Sequence, residues 1–393
     1  MALASNYCWV KPGECMSEYQ YYEFQTIDRP LSAEQQAALR KLSSRVELSA
    51  TRAAFNYAYG SFRGEPLTLL EQHFDALFYI ANWGAKQLAF RFPKDALAAE
   101  QLQPYLLGDE ESYVGDCHTT SQHLVLNLEI REEEGYGWIE GEGLLAPLLP
   151  LREAILRGDL RALYLFWLRT ANDRAGWEDE DEEAEPLVEP LVPPGLGQLD
   201  PALQAFAEFF AIDQDLIAAA AEASPRLTVL DEPVEQWVKL LPAAEREAFL
   251  VQVARGATHV GINLLRRLRE LGGAKAAAAP AAPPRTFAEL RAAAKGQQQQ
   301  RAQREREAAE RARLATLESL AQREAHVWAI IPGLLAKRTA SGYDEGGTLL
   351  GELRELAVHR GQRTTFDARL AELTAPYAGS PALQRRLKAQ HLV

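Results

Sequence analysis

Two kinds of apolar spacing follow one another along the chain. Up to Trp167, segments in which apolar and polar residues alternate are separated by segments with helical spacing. From Asp200 onward, apolar residues recur every three or four positions throughout. The pattern therefore predicts a mixed α/β region followed by an all-helical region.

The mixed region opens with an aromatic strand whose apolar residues are Tyr19, Tyr21, Tyr22, Phe24 and Ile27. Ser32 is then predicted to cap a helix, with Gln35 in the position of a capping box. Two short β segments that meet near Arg52 favour a hairpin. A second helix is predicted to follow Pro66, on the helical spacing of Leu69, Leu70, Phe74, Leu77 and Phe78.

The next strand completes a topology. It follows Gly84, and its alternating residues are Leu88, Phe90 and Phe92. The resulting order β-α-β-β-α-β is that of the ferredoxin-like fold. We therefore predict an α+β protein with a ferredoxin-like N-terminal domain.

Further elements are expected to extend this domain. Residues 124–130 alternate, and Gly135 and Gly137 follow them, which predicts an added β-hairpin. One helix is predicted after Pro150. Another, capped by Asp159, is apolar on most sides and is therefore expected to be central.

Composition predicts the domain boundaries. Seven of the eight residues from 178 to 185 are acidic, and a Pro-rich segment follows them, so neither helix nor strand is favoured there. The predicted parts are a disordered extension (1–15), an α/β domain (16–176), an acidic Pro-rich linker (177–199), a helical domain (200–273), an Ala/Pro tether (274–285) and a charged long helix with a helical tail (286–393).

The long helix is predicted from Thr286, weakened at Gly296 and interrupted at Pro332 and Gly333. Only its second half has an apolar stripe, formed by Leu314, Leu317, Ala321 and Trp328. The first half is therefore expected to face solvent or a partner. We interpret the glycine-rich segment 342–347 as a turn between helices.

Charge and cysteine content narrow the function classes. The net charge of −13 disfavours general binding to phosphate backbones. No apolar run approaches the roughly 20 residues of a membrane-spanning helix. Cys117 is the one cysteine outside the expected N-terminal extension, so no disulfide framework is predicted and a reducing cytosol is the natural compartment.

Four residues form the nearest approach to a metal or catalytic cluster: Asp116, Cys117, His118 and His123. Carboxylate, thiolate and imidazole are usual zinc ligands, but their spacing here matches no zinc signature. The alternative is a turn residue, a buried thiol and two partly exposed imidazoles. The sequence also lacks a nucleophile elbow, a phosphate-binding loop and a dinucleotide-binding fingerprint. No cofactor is predicted, and a non-enzymatic protein is favoured.

The charged helix carries nine Lys or Arg and five Asp or Glu between residues 285 and 323. We consider three interpretations: a solvated helix held by internal ion pairs, an arm that binds a partner protein, and a contact for phosphates. The candidate contact residues are Arg301, Arg304, Arg306, Arg311 and Arg313.

Two segments resemble known families. The opening SEYQYYEFQTIDRPLS, residues 17–32, resembles the start of an uncharacterised family of bacterial cytosolic proteins. The tail, with Tyr343-Asp344, LLGELRELA at 349–357, Phe366 and Arg369-Leu370, is similar to helical tails of bacterial proteins with SWIM-type zinc fingers. The zinc-finger ligands themselves are absent, so no metal-binding residues carry over. The resemblance implies association with a zinc-finger partner linked to nucleic acid.

The function predicted from sequence is that of a non-enzymatic interaction or scaffold protein of the bacterial cytosol, with the helical tail binding a partner protein. One alternative is a nucleic-acid-associated accessory factor that uses the arginines of the long helix. The other is an enzyme that uses the loop from Asp116 to His123.

Overall fold

The computed structural model describes residues 19–43, 45–58, 62–108, 115–132, 140–178, 186–226, 233–272 and 285–392, apart from the side chains of 177 and 178. The chain divides into two compact units, Met1–Gln297 and Gln298–Val393. The expected extension 1–15, the added hairpin's turn at Gly135 and Gly137, residues 179–185 of the acidic linker and nearly all of the Ala/Pro tether lie outside the described residues. The domain boundaries drawn from composition stay predictions.

The first unit is built on an antiparallel sheet. In chain order its first elements are β1 (Gln20–Gln25), α1 (Ala33–Leu42), β2 (Glu47–Leu48), β3 (Arg52–Tyr57), α2 (Pro66–His73), β4 (Ala76–Ala81), β5 (Ala85–Pro93), β6 (Asp116–Thr119) and β7 (His123–Arg131). The seven strands lie in the order β2-β3-β1-β4-β5-β7-β6. The α+β class is confirmed. The ferredoxin-like topology stays a prediction: β1 lies between β3 and β4 and is antiparallel to both, and β5, β7 and β6 extend the sheet beyond β4.

The apolar spacing that predicts the second helix extends into a segment that is a strand, β4. The helix after Pro66 is confirmed but ends at His73, and Leu77 and Phe78 belong to β4. β4 lies inside the sheet with both faces covered, so its residues form an almost continuous apolar run. Such a run also contains helical spacings, and periodicity alone does not separate the two structures.

Two layers of helices cover the sheet. The capping box of Ser32 and Gln35 is confirmed at the start of α1, which packs with α2 against one face. The core of the other face also contains residues of α3 (Pro150–Leu156), α4 (Arg161–Glu178), α5 (Pro201–Phe209) and α6 (Gln214–Ala223). The expectation that α4 is central is confirmed, since Trp167 is fully buried.

Three further helices of the first unit form a small bundle: α7 (Val234–Leu240), α8 (Ala243–Ala254) and α9 (Val260–Gly272). Their core contains Trp237, Leu241 and Leu268. All three lie within residues 200–273, where helical spacing was predicted throughout.

The second unit is helical. α10 (Phe287–Ala336) begins in the first unit, and α11 (Ala340–His359), α12 (Arg363–Thr374) and α13 (Pro381–Ala389) follow it. The long helix is thus confirmed, but it continues through Pro332 and is not interrupted there. Leu317 and Trp328 are buried in the core of this unit, as the apolar stripe predicts.

The turn expected at residues 342–347 is wrong, because these residues lie inside α11. Their glycines allow α10 to approach closely. A Cβ atom on Gly342 would lie 2.6 Å from the carbonyl oxygen of Leu334, and one on Gly346 would lie 3.0 Å from Cδ2 of Leu335. Glycine here therefore permits helix packing instead of ending a helix.

Candidate functional site

An open cleft of about 1200 Å³ lies between α3, α9 and the segment 96–101; we call it the α3–α9 cleft. Its larger apolar lining residues are Leu97, Leu156, Val253, Val260, Ile262 and Leu265. Pockets for small molecules usually measure about 300–1,000 Å³ and enclose most of the ligand. The size and openness of this cleft suit a polypeptide segment better than a small metabolite.

The charged side chains that line the cleft have a net charge of +1. They comprise Arg157, Arg266 and Arg269 against Glu153 and Glu270. Both carboxylates are in ion pairs with arginines nearby on the chain, at 3.0 Å and 3.1 Å. In a chain with a net charge of −13, the cleft is therefore a locally basic surface.

His259, at the start of α9, also lines the cleft and contacts the sheet region. Its Nε2 lies 2.7 Å from Oδ2 of Asp28, and its side chain is largely buried. Because a carboxylate only accepts hydrogen bonds, Nε2 carries the proton in this contact. The backbone of His259 has φ 60°, in the left-handed region that favours glycine.

Behind this contact lies a buried network of charged residues. Arg152 makes two hydrogen bonds of 2.9 Å to Asp28, and Arg91 makes one of 2.8 Å to Asp75. Asp75 in turn accepts the backbone N–H groups of Ile27 and Asp28. Asp75 and Arg152 are nearly inaccessible to solvent, and two carboxylates balance two guanidinium groups. The network therefore fixes Asp28 as the acceptor for His259.

The network also sets the ionisation of Asp28. Burial acts to raise the pKa of this carboxyl, but hydrogen bonds from His259 and Arg152 outweigh burial and lower the pKa to about 2. Asp28 is thus ionised at neutral pH. The hydrogen bond between Asp28 and His259 can hold α9 in place, and the charges of the network behind it are already balanced.

α8 presents an exposed apolar surface beside the cleft. None of its residues is buried, and Leu250 and Val253 are 68% and 62% exposed. With Ala254 these residues follow the spacing i, i+3, i+4 of one helix face, which we call the α8 face. Val253 and Ala257 also line the α3–α9 cleft, so the two surfaces are continuous. That spacing was the sequence signal for this surface.

Of the four residues of the predicted metal or catalytic loop, Asp116 and His118 are in contact, whereas Cys117 lies on the opposite face of the sheet. Asp116, Cys117 and His118 lie on β6, where successive side chains point to opposite faces of the sheet. Cys117 packs against the core and accepts a hydrogen bond from Gln103, and burial raises the pKa of its thiol. His123 begins β7. A protonated, half-buried thiol on the opposite face is a poor ligand or nucleophile.

His118 instead connects β6 to α2. Its Nε2 lies 2.7 Å from Oε1 of Glu71, and its Nδ1 lies 3.4 Å from Oδ2 of Asp116. Burial acts to lower the pKa of His118, but these two hydrogen bonds outweigh it and raise the pKa. Among the residues described, no group of three or more His, Cys, Asp and Glu side chains could hold a metal ion.

The five predicted contact arginines of α10 lie in a stretch without a buried residue between Ala294 and Leu317. Arg301 pairs with Glu305 and Arg313 with Glu310, at 3.2 Å and 3.4 Å. These pairs within the helix reduce its positive field. Partner or phosphate contact through Arg301, Arg304, Arg306, Arg311 and Arg313 stays a prediction, as does the zinc-finger partner.

Comparisons do not identify a family. The chain matches no protein-family model, no curated protein and no solved structure. No helix in the described part of the chain is long and apolar enough to cross a membrane. The function must therefore be argued from the site itself.

Proposed function

We propose that this is a non-enzymatic interaction protein that binds an amphipathic, acidic segment of a partner protein along the α8 face and in the α3–α9 cleft. The observation that carries the proposal is the exposure of Leu250 and Val253 on a helix without a buried residue. Contiguous exposed apolar surface next to a groove is typical of protein interaction sites.

The apolar contribution to binding comes from the α8 face. Burying a Leu or Val side chain completely contributes about 1.5–3 kcal/mol. Leu250 and Val253 are each about two-thirds exposed, so covering both contributes about 2–4 kcal/mol. Helical segments dock in this way, by laying apolar residues at i, i+3, i+4 and i+7 against a groove.

The charge of the cleft selects the chemistry of the partner. Arg157, Arg266 and Arg269 surround an apolar lining, so a segment with both carboxylates and apolar side chains complements it. A nucleic acid would match the arginines but not the α8 face. The two surfaces together therefore favour an acidic polypeptide over a polyanion.

The test is a selection from a displayed library of amphipathic helical peptides. Their apolar positions are fixed, and their polar positions vary among Asp, Glu, Lys, Arg and Ser. We expect enriched clones to be rich in Asp and Glu. Their synthetic peptides should lose at least about tenfold in affinity for the Leu250→Ser/Val253→Ser variant, by titration calorimetry.

Leu191→Ser/Val358→Ser is the matched control, because both residues are exposed apolar side chains that belong neither to the α8 face nor to the lining of the α3–α9 cleft. It should bind the peptides as the wild-type protein does. An absence of enrichment, enrichment of Lys and Arg, or equal loss of affinity in both double variants would each overturn the proposal.

A further inference from the structure

We infer that His259 is a positioning residue: its contact with Asp28 holds α9 at the distance from α3 that the partner segment needs. This inference rests on the proposed function, because the cleft that α9 borders is the proposed binding site. It assigns His259 no contact with the partner, only the placement of one wall.

The backbone between α8 and α9 gives the first argument. Gly256 and His259 both lie in this turn, and both have left-handed backbones, with φ of 67° and 60°. Glycine adopts this conformation without steric cost, whereas a residue with a side chain does not. A histidine at the second position is therefore the less stable choice for the backbone, which indicates that its side chain has a role.

The side-chain contacts give the second argument. His259 Nε2 is held by an Asp28 carboxylate that Arg152 already fixes, so the acceptor is rigid before α9 arrives. The charged groups that surround the contact are Asp28, Arg152 and Asp75. Together with Arg91, which pairs with Asp75, they comprise two carboxylates and two guanidinium groups, so their net charge is zero. The contact is thus a directional hydrogen bond to a preplaced group.

The size of the bundle gives the third argument. The core of α7, α8 and α9 has three buried residues; Val260 of α9 is also buried, and Ile262 of α9 packs against the main core. Besides His259, Arg266 of α9 donates a hydrogen bond to the backbone carbonyl of Asp95, in the segment that forms the cleft. With so little apolar contact, the position of α9 depends on these polar contacts.

Loss of the contact should therefore weaken binding by loosening the wall, because a site that must first be ordered binds less tightly. His259→Gly removes the imidazole and also relieves the left-handed backbone, so the variant is expected to fold. Ala211→Gly is the matched control: Ala211 is also left-handed, with φ 51°, but does not line the cleft.

The experiment combines amide hydrogen exchange of the full chain with binding of an acidic peptide selected as above. In His259→Gly we expect exchange of α9 to accelerate at least about tenfold and peptide affinity to fall about tenfold, mainly through faster dissociation. Ala211→Gly should change neither. His259→Gln keeps an N–H donor and should restore part of the slow exchange and part of the affinity.

Unchanged exchange of α9 in His259→Gly would overturn the role of His259, whatever happens to binding. Faster exchange with unchanged peptide affinity would also overturn it, because the contact would then serve stability alone. If no peptide is selected on the wild-type protein, the proposed function fails, and the exchange measurement still decides whether His259 positions α9.

Discussion

α4 and α8 are both rich in apolar residues, yet the fold treats them in opposite ways. Tyr164, Phe166 and Trp167 of α4 are fully buried, whereas α8 has no buried residue. An isolated helix as short as α8 is marginal in water, so its stability comes from its neighbours in the bundle. The difference teaches that apolar content alone does not place a helix in a core.

The arrangement of the apolar residues separates the two helices. α4 is apolar on most sides, which is typical of a helix surrounded by protein. The two most exposed apolar residues of α8, Leu250 and Val253, lie on one face, and Arg246 and Glu247 lie one turn before Leu250. α4 therefore stabilises the fold, whereas α8, we propose, binds the partner.

The largest expected effect tests the buried side of this comparison. Trp167→Ala should lower the free energy of unfolding of the first unit by about 3–5 kcal/mol, because it removes a fully buried side chain and leaves a cavity. Denaturant unfolding followed by circular dichroism measures it. Trp167→Phe should lower the free energy of unfolding much less. If Trp167→Ala lowers it by less than about 1 kcal/mol, the central position of α4 is contradicted.

The next effect concerns the Asp28 carboxylate, which contacts Arg152 of α3 and His259 at the start of α9. The pKa of Asp28 is about 2 in the folded protein, below its ordinary 3.8. The ionised carboxylate therefore stabilises the fold by about 2 kcal/mol above the unfolded-state pKa, and this contribution is lost as the pH falls through about 2.

Asp28→Asn should be less stable than the wild-type protein at pH 6, and the difference should shrink from about pH 4 downward. Unfolding midpoints measured across this range provide the test. A difference that stays constant with pH would show that the charge of Asp28 does not contribute.

Substitutions on the exposed α8 face are expected to have a small effect on stability. Leu250→Ser/Val253→Ser should change the free energy of unfolding by no more than about 0.5 kcal/mol per substitution, because both side chains already face water. Thermal unfolding measures it. A loss above about 2 kcal/mol would mean that α8 is packed in solution and that no free surface exists there.

The smallest effect lies at the sheet edge. The raised pKa of His118 means that the protonated imidazole stabilises the fold below its unfolded pKa, near 6.5, and that this contribution disappears as the pH rises through the folded value. The side chain is 40% exposed, so the contribution should stay below about 1 kcal/mol. His118→Gln should therefore lower the unfolding midpoint at pH 5 but not at pH 9.

Local rules predicted much of the first unit. The capping box at Ser32 and Gln35 and the strand of residues 124–130 each depend on neighbours in sequence, and each is present. β4 was missed because a strand covered on both faces has no alternation.

The candidate site was beyond sequence reasoning for a different reason. His259 and Asp28 are separated by 231 residues, and no local pattern joins them. In α8 the exposed face is hard to recognise from sequence, because Phe249, Leu250, Val251 and Val253 form an almost continuous apolar run. In the segment 116–123, strand alternation places Cys117 on the opposite face from its sequence neighbours Asp116 and His118.

The glycines of α11 have a consequence for the order of folding. Each glycine in a helix interior costs about 1 kcal/mol relative to alanine, and α11 contains Gly342, Gly346, Gly347 and Gly351. Such a segment has little tendency to be helical alone. We therefore expect α11 to become helical only as it docks, with α10 providing the surface on which the second unit nucleates.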